Sequence, residues 1–112
     1  MTFSQGNIVL VDLNPVKGHE QGNMRPVLVV NRDDILLPGG VNIILPITSH
    51  KKSHALEIEL DNRTKTQGVI LCFQARTVDL TARNAQVVEQ IPEDILAVCC
   101  GYLSQLVSNT KK

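Results

Sequence analysis

The hexapeptide ALEIEL, at residues 55–60, decides the fold class of this chain. Leucine or isoleucine occupies every second position with glutamate between them, which is the pattern of a strand with one buried face. Working outward, further apolar runs rich in β-branched residues lie between turn residues, at 8–11, 27–30, 43–45, 69–73 and 85–88. The sequence therefore predicts a mainly β protein.

The segment from Pro92 to Val107 has a different periodicity, because its apolar residues recur at helical spacing: Ile95, Val98, Cys99, Tyr102, Leu103 and Leu106. Proline in the first turn and the acidic pair Glu93 and Asp94 favour a helix start at this point. Gly101 interrupts the pattern, and close packing would explain a glycine there. Many short strands and one terminal helix predict a small, partly open β-barrel with the helix covering an open end or face.

Length and composition restrict the class of protein. The 112 residues (12.3 kDa) suffice for one domain, residues 1–112, and 43% apolar with 20% charged residues exclude a disordered chain. Eleven basic and eleven acidic side chains cancel, so any nucleic-acid contact requires a local patch rather than bulk positive charge. The aromatic rings, Phe3, Phe73 and Tyr102, are too few for a broad base-stacking platform.

The cysteines predict neither a disulfide framework nor a metal site. Cys72, Cys99 and Cys100 form an odd set without C-x-x-C spacing, so we expect small buried side chains in a reducing compartment. The histidines also lack metal-ligand spacing, and we expect no metal and no other cofactor. No apolar stretch approaches ~18 residues and no signal-peptide pattern is present, so we expect a cytoplasmic location.

The connection at residues 14–24 concentrates chemically active side chains. His19, Glu20 and Gln21 lie between two glycines, and Arg25 stands where the next strand begins. A turn does not require a histidine, a carboxylate and an arginine together, and function concentrates in loops on rigid scaffolds. From composition alone, a solvated polar loop is an equally good interpretation.

Two further polar clusters follow strands. Residues 46–54 carry groups suited to phosphate contacts, although such a cluster is more often a solvated hairpin tip: Thr48, Ser49, His50, Lys51, Lys52 and His54. Residues 74–79 contain Arg76 and Asp79, which by themselves suggest an exposed ion pair.

Together, in order and spacing over nearly the whole chain, these segments resemble the MazF/PemK/Kid family of toxin ribonucleases. The matching segments are GNIVLVDLNP (6–15), GHEQG (18–22), RPVLV (25–29), PITS (46–49) and QARTVD (74–79). The segment from GHEQG to RP is the specific signal, and the order of the others supports it.

The resemblance implies a compact SH3-like barrel of the CcdB/MazF type that forms a homodimer. It implies metal-independent cleavage of single-stranded RNA at short sequences and inhibition by a cognate antitoxin with a disordered acidic segment. Operator DNA would be bound only by the toxin–antitoxin complex. In such families the neighbouring ribose 2′-hydroxyl attacks the scissile phosphate, which yields a 2′,3′-cyclic phosphate and a 5′-hydroxyl end.

The residues of these motifs suit that reaction, which needs a base, an acid and positive charge at the phosphate. Arg25 is expected to clamp the phosphate with its planar fork, and Thr48 to hydrogen-bond and orient it. Glu20 is expected to act as the base and His19 as acid or base. The expected substrate-binding residues are Lys17, Gln21, Ser49, Lys51, Lys52, Gln74 and Arg76.

Two positions depart from the family pattern. Asn7 stands where relatives usually carry an acid, and Phe73 occupies the position before Gln74 where many have aspartate or glutamate. The acid–base work is then expected to rest on Glu20 and His19, or to be reduced. Two alternatives follow: a non-catalytic poison on the same barrel, like the gyrase-targeting CcdB proteins, or a module that binds an antitoxin and represses its own operon with it.

Overall fold

The computed structural model describes residues 2–51 and 54–110. That part of the chain forms seven strands, a short 3-10 turn at Pro38–Gly40 and one α-helix. The elements are β1 (Asn7–Asp12), β2 (Met24–Val29), β3 (Asn42–Thr48), β4 (Glu57–Glu59), β5 (Val69–Leu71), β6 (Arg76–Val78), β7 (Gln86–Gln90) and α1 (Glu93–Leu106). The predicted mainly β chain with a C-terminal helix is confirmed.

The strands form one antiparallel sheet in the order β4-β5-β3-β2-β1-β7. The long strand β3 pairs with β2 along one edge, while its other edge pairs first with β6 and then with β5. Within the described residues no ladder joins β4 to β7, so the sheet curls without closing. This confirms the prediction of a partly open barrel.

Both faces of the curled sheet are buried, which explains the near-continuous apolar runs of its central strands. One face carries Ile8, Leu28, Leu45 and Ile70 and packs against α1. The opposite face carries a second apolar cluster: Val9, Val11, Leu13, Val27, Val29, Ile44, Val78, Leu80 and Ala85. We call these the helix face and the inner face.

Strand β2 begins earlier than the apolar run predicts. It starts at Met24 and includes Arg25, which pairs with Val11 of β1. Pro26 is accommodated because pairing with β3 begins only at Val27. The backbone of Arg25 therefore belongs to a paired strand and not to the preceding loop.

Two expectations about α1 are wrong in detail. Val98 is 44% exposed and Leu106 is 47% exposed, whereas Leu96, which was not predicted, is buried. The other predicted residues pack on the helix-face core: Ile95, Cys99, Tyr102 and Leu103. A Cβ added at Gly101 would meet nothing within 4 Å, so close packing does not explain this exposed glycine.

The cysteines are free thiols, with Cys72 and Cys99 buried in the helix-face core and Cys100 half-buried. A hydrogen bond with Cys72 and burial both raise the pKa of Cys99, and burial raises that of Cys100. These positions behave as the small buried side chains that were predicted. In the described residues, no helix has the length and apolar character needed to span a bilayer.

Candidate functional site

The pairing of β2 with β3 brings Arg25 and Thr48 together. The ladder pairs Val29 with Ile44 and Val27 with Pro46. Continued by two residues, the same register places Arg25 across from Thr48. Side chains alternate along strands, so both residues belong to the inner face. Residues separated by 23 positions in sequence thus lie on one face at the same margin of the sheet.

The Arg25 side chain is fixed by two backbone carbonyls. Its Nε donates to the carbonyl oxygen of Gly22 at 2.8 Å, and Nη1 makes a long contact of 3.5 Å with that of Ile47. The residue is half-buried. Because Nε is engaged, the end of the guanidinium that carries the two Nη groups is the edge available to an anion.

Thr48 is buried, with 2% of its surface exposed. Its Oγ1 accepts a hydrogen bond from the backbone N–H of His50 at 3.2 Å, so the hydroxyl hydrogen remains available to donate elsewhere. Ser49 and His50, which follow directly, are exposed. The Thr48 residue itself is closed off from solvent, while the chain returns to the surface directly after it.

The backbone of Gly68 lies close to the backbone of Thr48. Its backbone has φ +123°, and a Cβ at this position would collide with the carbonyl oxygen of Thr48. The residue therefore has to be glycine, both for its conformation and for the close approach of the two backbones. This contact fixes the end of β3 at the site.

The loop at residues 13–23 is closed at its base by polar contacts. The backbone N–H of Asn23 donates to Oδ1 of Asn14 at 3.0 Å, and Nδ2 of Asn14 donates to Oδ1 of Asn23 at 2.9 Å. Nη1 of Arg83 also donates to the carbonyl oxygen of Asn14 at 2.8 Å. Further along, the Glu20 carboxylate accepts a hydrogen bond from the backbone N–H of Lys17 at 3.0 Å.

A pocket of about 210 Å³ lies between this loop and the segment that joins β5 to β6. Four predicted site residues line it together with three that were not among the predicted site residues: Glu20, Gln21, Gln74 and Arg76, with Pro46, Phe73 and Ala75. The backbone N–H of Gln21 donates to Oε1 of Gln74 at 3.1 Å, which connects the two walls.

Arg76 does not pair with Asp79, so the exposed ion pair is the wrong interpretation of that segment. Nη1 of Arg76 lies 3.4 Å from the carbonyl oxygen of Leu13, and Asp79 accepts the backbone N–H of Ala82 at 3.0 Å. Arg76 instead places its guanidinium at the wall of the pocket.

The other predicted site residues do not line the pocket. Lys17, His19 and Ser49 are exposed on the loops that flank Arg25 and Thr48. Lys51 is directed to β4, where its Nζ lies 3.2 Å from a carboxylate oxygen of Glu59. Lys52 lies outside the described residues.

Phe73 and His54 form an aromatic pair at the pocket that sequence reasoning did not find. Their ring centroids are 5.2 Å apart with an interplanar angle of 51°. The Phe73 ring also lines the pocket and is 41% exposed. Proximity of residues 19 positions apart leaves no signal in a single sequence, so only the structure reveals it.

Asn7, the first departure from the expected pattern, is remote from this pocket. Its Nδ2 donates to Oε1 of Gln90 at 2.9 Å and its Oδ1 accepts the backbone N–H of Ser4 at 2.8 Å. It therefore ties the N-terminal turn to β7. Among the described residues, no group of three or more His, Cys, Asp or Glu side chains is arranged to hold a metal ion.

Comparison with known proteins agrees with this geometry. The profile of a family described as "PemK-like, MazF-like toxin of type II toxin-antitoxin system" matches residues 4–107. The endoribonuclease PemK of Escherichia coli is 34% identical over 110 residues, which are 95% of this chain and 83% of that protein. The endoribonuclease EndoA of Bacillus subtilis is 34% identical over 84 residues, 70% of this chain and 72% of the relative.

Solved structures show the same fold. MazF from Deinococcus radiodurans superposes with a TM-score of 0.88 at 31% identity, over 96% of this chain and 97% of that one. A MazE–MazF structure from the same organism gives a TM-score of 0.82 at 31% identity, over 96% of both chains.

Proposed function

We propose the activity of this chain from one premise: it belongs to the PemK-like, MazF-like family of toxins of type II toxin–antitoxin systems. The chain is an endoribonuclease toxin, and residues 1–112 form a single toxin domain. It cuts single-stranded RNA at short sequence motifs without a metal ion. The names of its relatives support the endoribonuclease activity.

The observation that carries this proposal is the position of Arg25 across from Thr48. With Nε engaged by Gly22, the Nη edge presents two parallel N–H donors, the arrangement that matches two oxygens of one phosphate. Thr48 adds a hydroxyl donor beside it. A non-catalytic poison would not need a phosphate clamp next to a loop that carries a carboxylate and an imidazole.

The proposed reaction is an internal transfer at phosphorus. The Glu20 carboxylate accepts the proton of the ribose 2′-hydroxyl, and the 2′-oxygen forms a bond to phosphorus. The bond from phosphorus to O5′ breaks, and protonated His19 donates its proton to O5′. Arg25 neutralises the charge that accumulates on the pentacoordinate phosphorus. The products are a 2′,3′-cyclic phosphate and a 5′-hydroxyl end.

Thr48 can take part only after a local movement. With 2% of its surface exposed, Thr48 can contact a phosphate only if neighbouring groups move, and the exposed segment after Thr48 is the part we expect to move. Ser49 begins that segment and offers a second hydroxyl. The bond from the His50 N–H to Oγ1 leaves the hydroxyl hydrogen free for the phosphate.

The RNA strand extends from this centre over the surrounding polar surface. Gln21, Gln74 and Arg76 contact it at the pocket, and Lys17 contacts a phosphate from the exposed loop. Lys51 and Lys52 add positive charge further along the strand, with Lys51 exchanging Glu59 for a phosphate.

An antitoxin with a disordered acidic segment inhibits by occupying the same basic and apolar groove. The MazE–MazF structures of the Deinococcus radiodurans relative support an antitoxin partner. The toxin acts in the cytoplasm as a homodimer, and it contacts operator DNA only together with its antitoxin. Sedimentation at micromolar concentration tests the dimer, and a species of only ~12 kDa would contradict it.

The decisive experiment incubates the purified protein with a long defined RNA in EDTA and maps the 5′ ends. Discrete cuts that end in 5′-hydroxyl groups, absent with Arg25→Ala, support the proposal. Intact RNA with arrested cell growth would favour the non-catalytic poison instead. Intact RNA without a growth effect would favour the autorepression module.

A further inference from the structure

We infer that the pocket beside Phe73 holds one nucleobase of the RNA strand, stacked on the Phe73 ring. The inference rests on the proposed function and specifies how the site selects its substrate. It assigns a role to the residue that stands where many relatives carry an acid. That role is base recognition instead of proton transfer.

The first support is the apolar wall of the pocket. The Phe73 residue is 41% exposed, although large apolar side chains are usually buried, and it lines the pocket. Pro46 and Ala75 extend the same wall. An exposed ring at the edge of a polar site is the usual platform for an unpaired base.

The second support is the contact of the ring with His54. The His54 ring lies against Phe73 with a centroid separation of 5.2 Å. Its Nδ1 accepts the backbone N–H of Leu56 at 3.0 Å, so in the neutral ring the proton is on Nε2. The imidazole thus supports the phenyl ring and offers an N–H donor next to it.

The polar wall supplies the groups that read a base edge. Oε1 of Gln74 is engaged by the Gln21 N–H, so its amide group presents N–H donors to a ligand. Glu20 and Arg76 line the same wall, and they provide an acceptor and a further donor. Donors and acceptors opposite one apolar surface match a flat heterocycle better than an aliphatic side chain.

The size of the pocket agrees with a single base. Its volume of about 210 Å³ is below the roughly 300–1,000 Å³ of pockets for drug-sized ligands, which agrees with a ligand of the size of one base. Stacking of one base on one ring corresponds to about a 5- to 150-fold change in affinity on alanine substitution.

An abasic scan tests the inference with the full-length protein. A short RNA that contains one preferred cut is prepared with a single abasic nucleotide at each position in turn. For wild type, one position should weaken cleavage by about 5- to 150-fold through KM. For Phe73→Ala, the same abasic substitution should cost clearly less, because only the polar contacts to the base are then lost. Leu36→Ala, which removes a side chain that is 90% exposed and outside this pocket, should behave as wild type.

A second measurement does not depend on cleavage. The chain has no tryptophan, so Phe73→Trp creates a single fluorophore in the pocket. RNA should quench its emission at the concentration that half-saturates binding, whereas an RNA abasic at the identified position should not. Leu36→Trp is the matched control and should show no base-dependent quenching.

The outcomes separate this inference from the proposed function. Cleavage by wild type with equal losses for Phe73→Ala on every abasic RNA would overturn the base pocket and leave the nuclease intact. Base-dependent quenching without any cleavage would support the pocket and contradict the nuclease. A large gain in cleavage by Phe73→Glu would also overturn the inference, because it would show that this position lacks a needed acid.

Discussion

Two loops of this protein carry similar numbers of charged side chains and use them in opposite ways. The loop at residues 61–68 joins β4 to β5, and its charges are bound to one another and to the body of the protein. Arg63 lies 2.9 Å from a carboxylate oxygen of Asp61 and 2.9 Å from one of Asp94 on α1. This guanidinium lowers the pKa of both carboxyl groups.

The second anchor of that loop is a carboxylate from β7. Glu89 accepts hydrogen bonds from the backbone N–H groups of Lys65 and Thr66, at 3.0 and 2.8 Å, and from the Thr66 hydroxyl at 2.7 Å. The anchors hold the loop across the open side of the barrel, between the β4–β5 hairpin and the sheet edge at β7. The carboxylates and the guanidinium of this loop and its anchors are thus bound within the protein, so they are not available to a ligand.

The loop at residues 13–23 has charges that remain available. Its base is closed by neutral amides and by Arg83, while Lys17 and His19 are exposed. Arg25 is half-buried and fixed through Nε, and its guanidinium forms no ion pair among the described residues. The contacts that charged side chains make, more than their number, therefore distinguish a loop that stabilises the fold from a loop that can bind a ligand.

The largest expected effect, on the cleavage rate, comes from removing the guanidinium of Arg25. Arg25→Ala should lower the cleavage rate about a hundred- to thousand-fold, because a preorganised donor to the developing negative charge is lost. Arg25→Lys should recover only part of the rate, since an ammonium group cannot present a fork. Single-turnover cleavage of a defined RNA measures both, and near-wild-type cutting by Arg25→Ala would refute the clamp.

Removing the guanidinium of Arg63, which is bound by two carboxylates, gives the matched control. Arg63→Ala should leave the cleavage rate within a few-fold of wild type while lowering the thermal midpoint, because it releases two carboxylates from their partner. Calorimetry and the same RNA assay, run side by side, measure both. A loss of cleavage comparable to that of Arg25→Ala, in a folded Arg63→Ala protein, would erase the distinction between the two loops.

A smaller effect is expected from Glu89→Gln, and it should depend on pH. Burial raises the pKa of Glu89, but the hydrogen bonds from Thr66 and Lys65 outweigh burial and hold it below its ordinary value of 4.5. A lowered pKa in the folded state stabilises the fold above pH 4.5, and that contribution is lost as the pH falls through the lowered value.

Thermal midpoints of wild type and Glu89→Gln should therefore differ at pH 7 and converge under acid conditions. A constant difference between pH 7 and pH 3 would show that the charge of Glu89 does not act through the loop at residues 61–68.

The smallest expected effect lies outside both loops. Gly101→Ala should stabilise the protein by about 1 kcal/mol, because the position is exposed within α1 and a Cβ meets nothing there. Urea unfolding with an unchanged m-value measures it. Destabilisation would indicate that this face of α1 is covered in solution, for example in the proposed homodimer.

The sequence predicted the strands and the family, because periodicity and motif order are local properties. The helix after Pro92 and a strand within residues 55–60 needed no tertiary information, although the observed strand covers only Glu57–Glu59. The three-residue strand β6 escaped prediction, since a run of that length has no measurable period. The stripe of α1 was misjudged because Val98 and Leu96 are equally apolar, and only packing separates them.

The same division holds for the candidate site. Arg25, Thr48 and Glu20 could be proposed from motifs, and the structure places them on adjacent elements of the inner face or the pocket. The contacts that distinguish one lysine or arginine from another could not be foreseen, since Lys51 to Glu59 and Arg76 to Leu13 depend on how distant segments fold together.

The close approach of Gly68 to the backbone of Thr48 has a genetic consequence. Any other residue at this position must move the end of β3, so we expect a single-base change in its codon to inactivate the protein without altering a residue of the proposed RNA site. Cells that survive forced expression of the gene should carry inactivating changes at this codon as well as at that of Arg25. A screen of survivors would thereby map the supports of the site as clearly as the site itself.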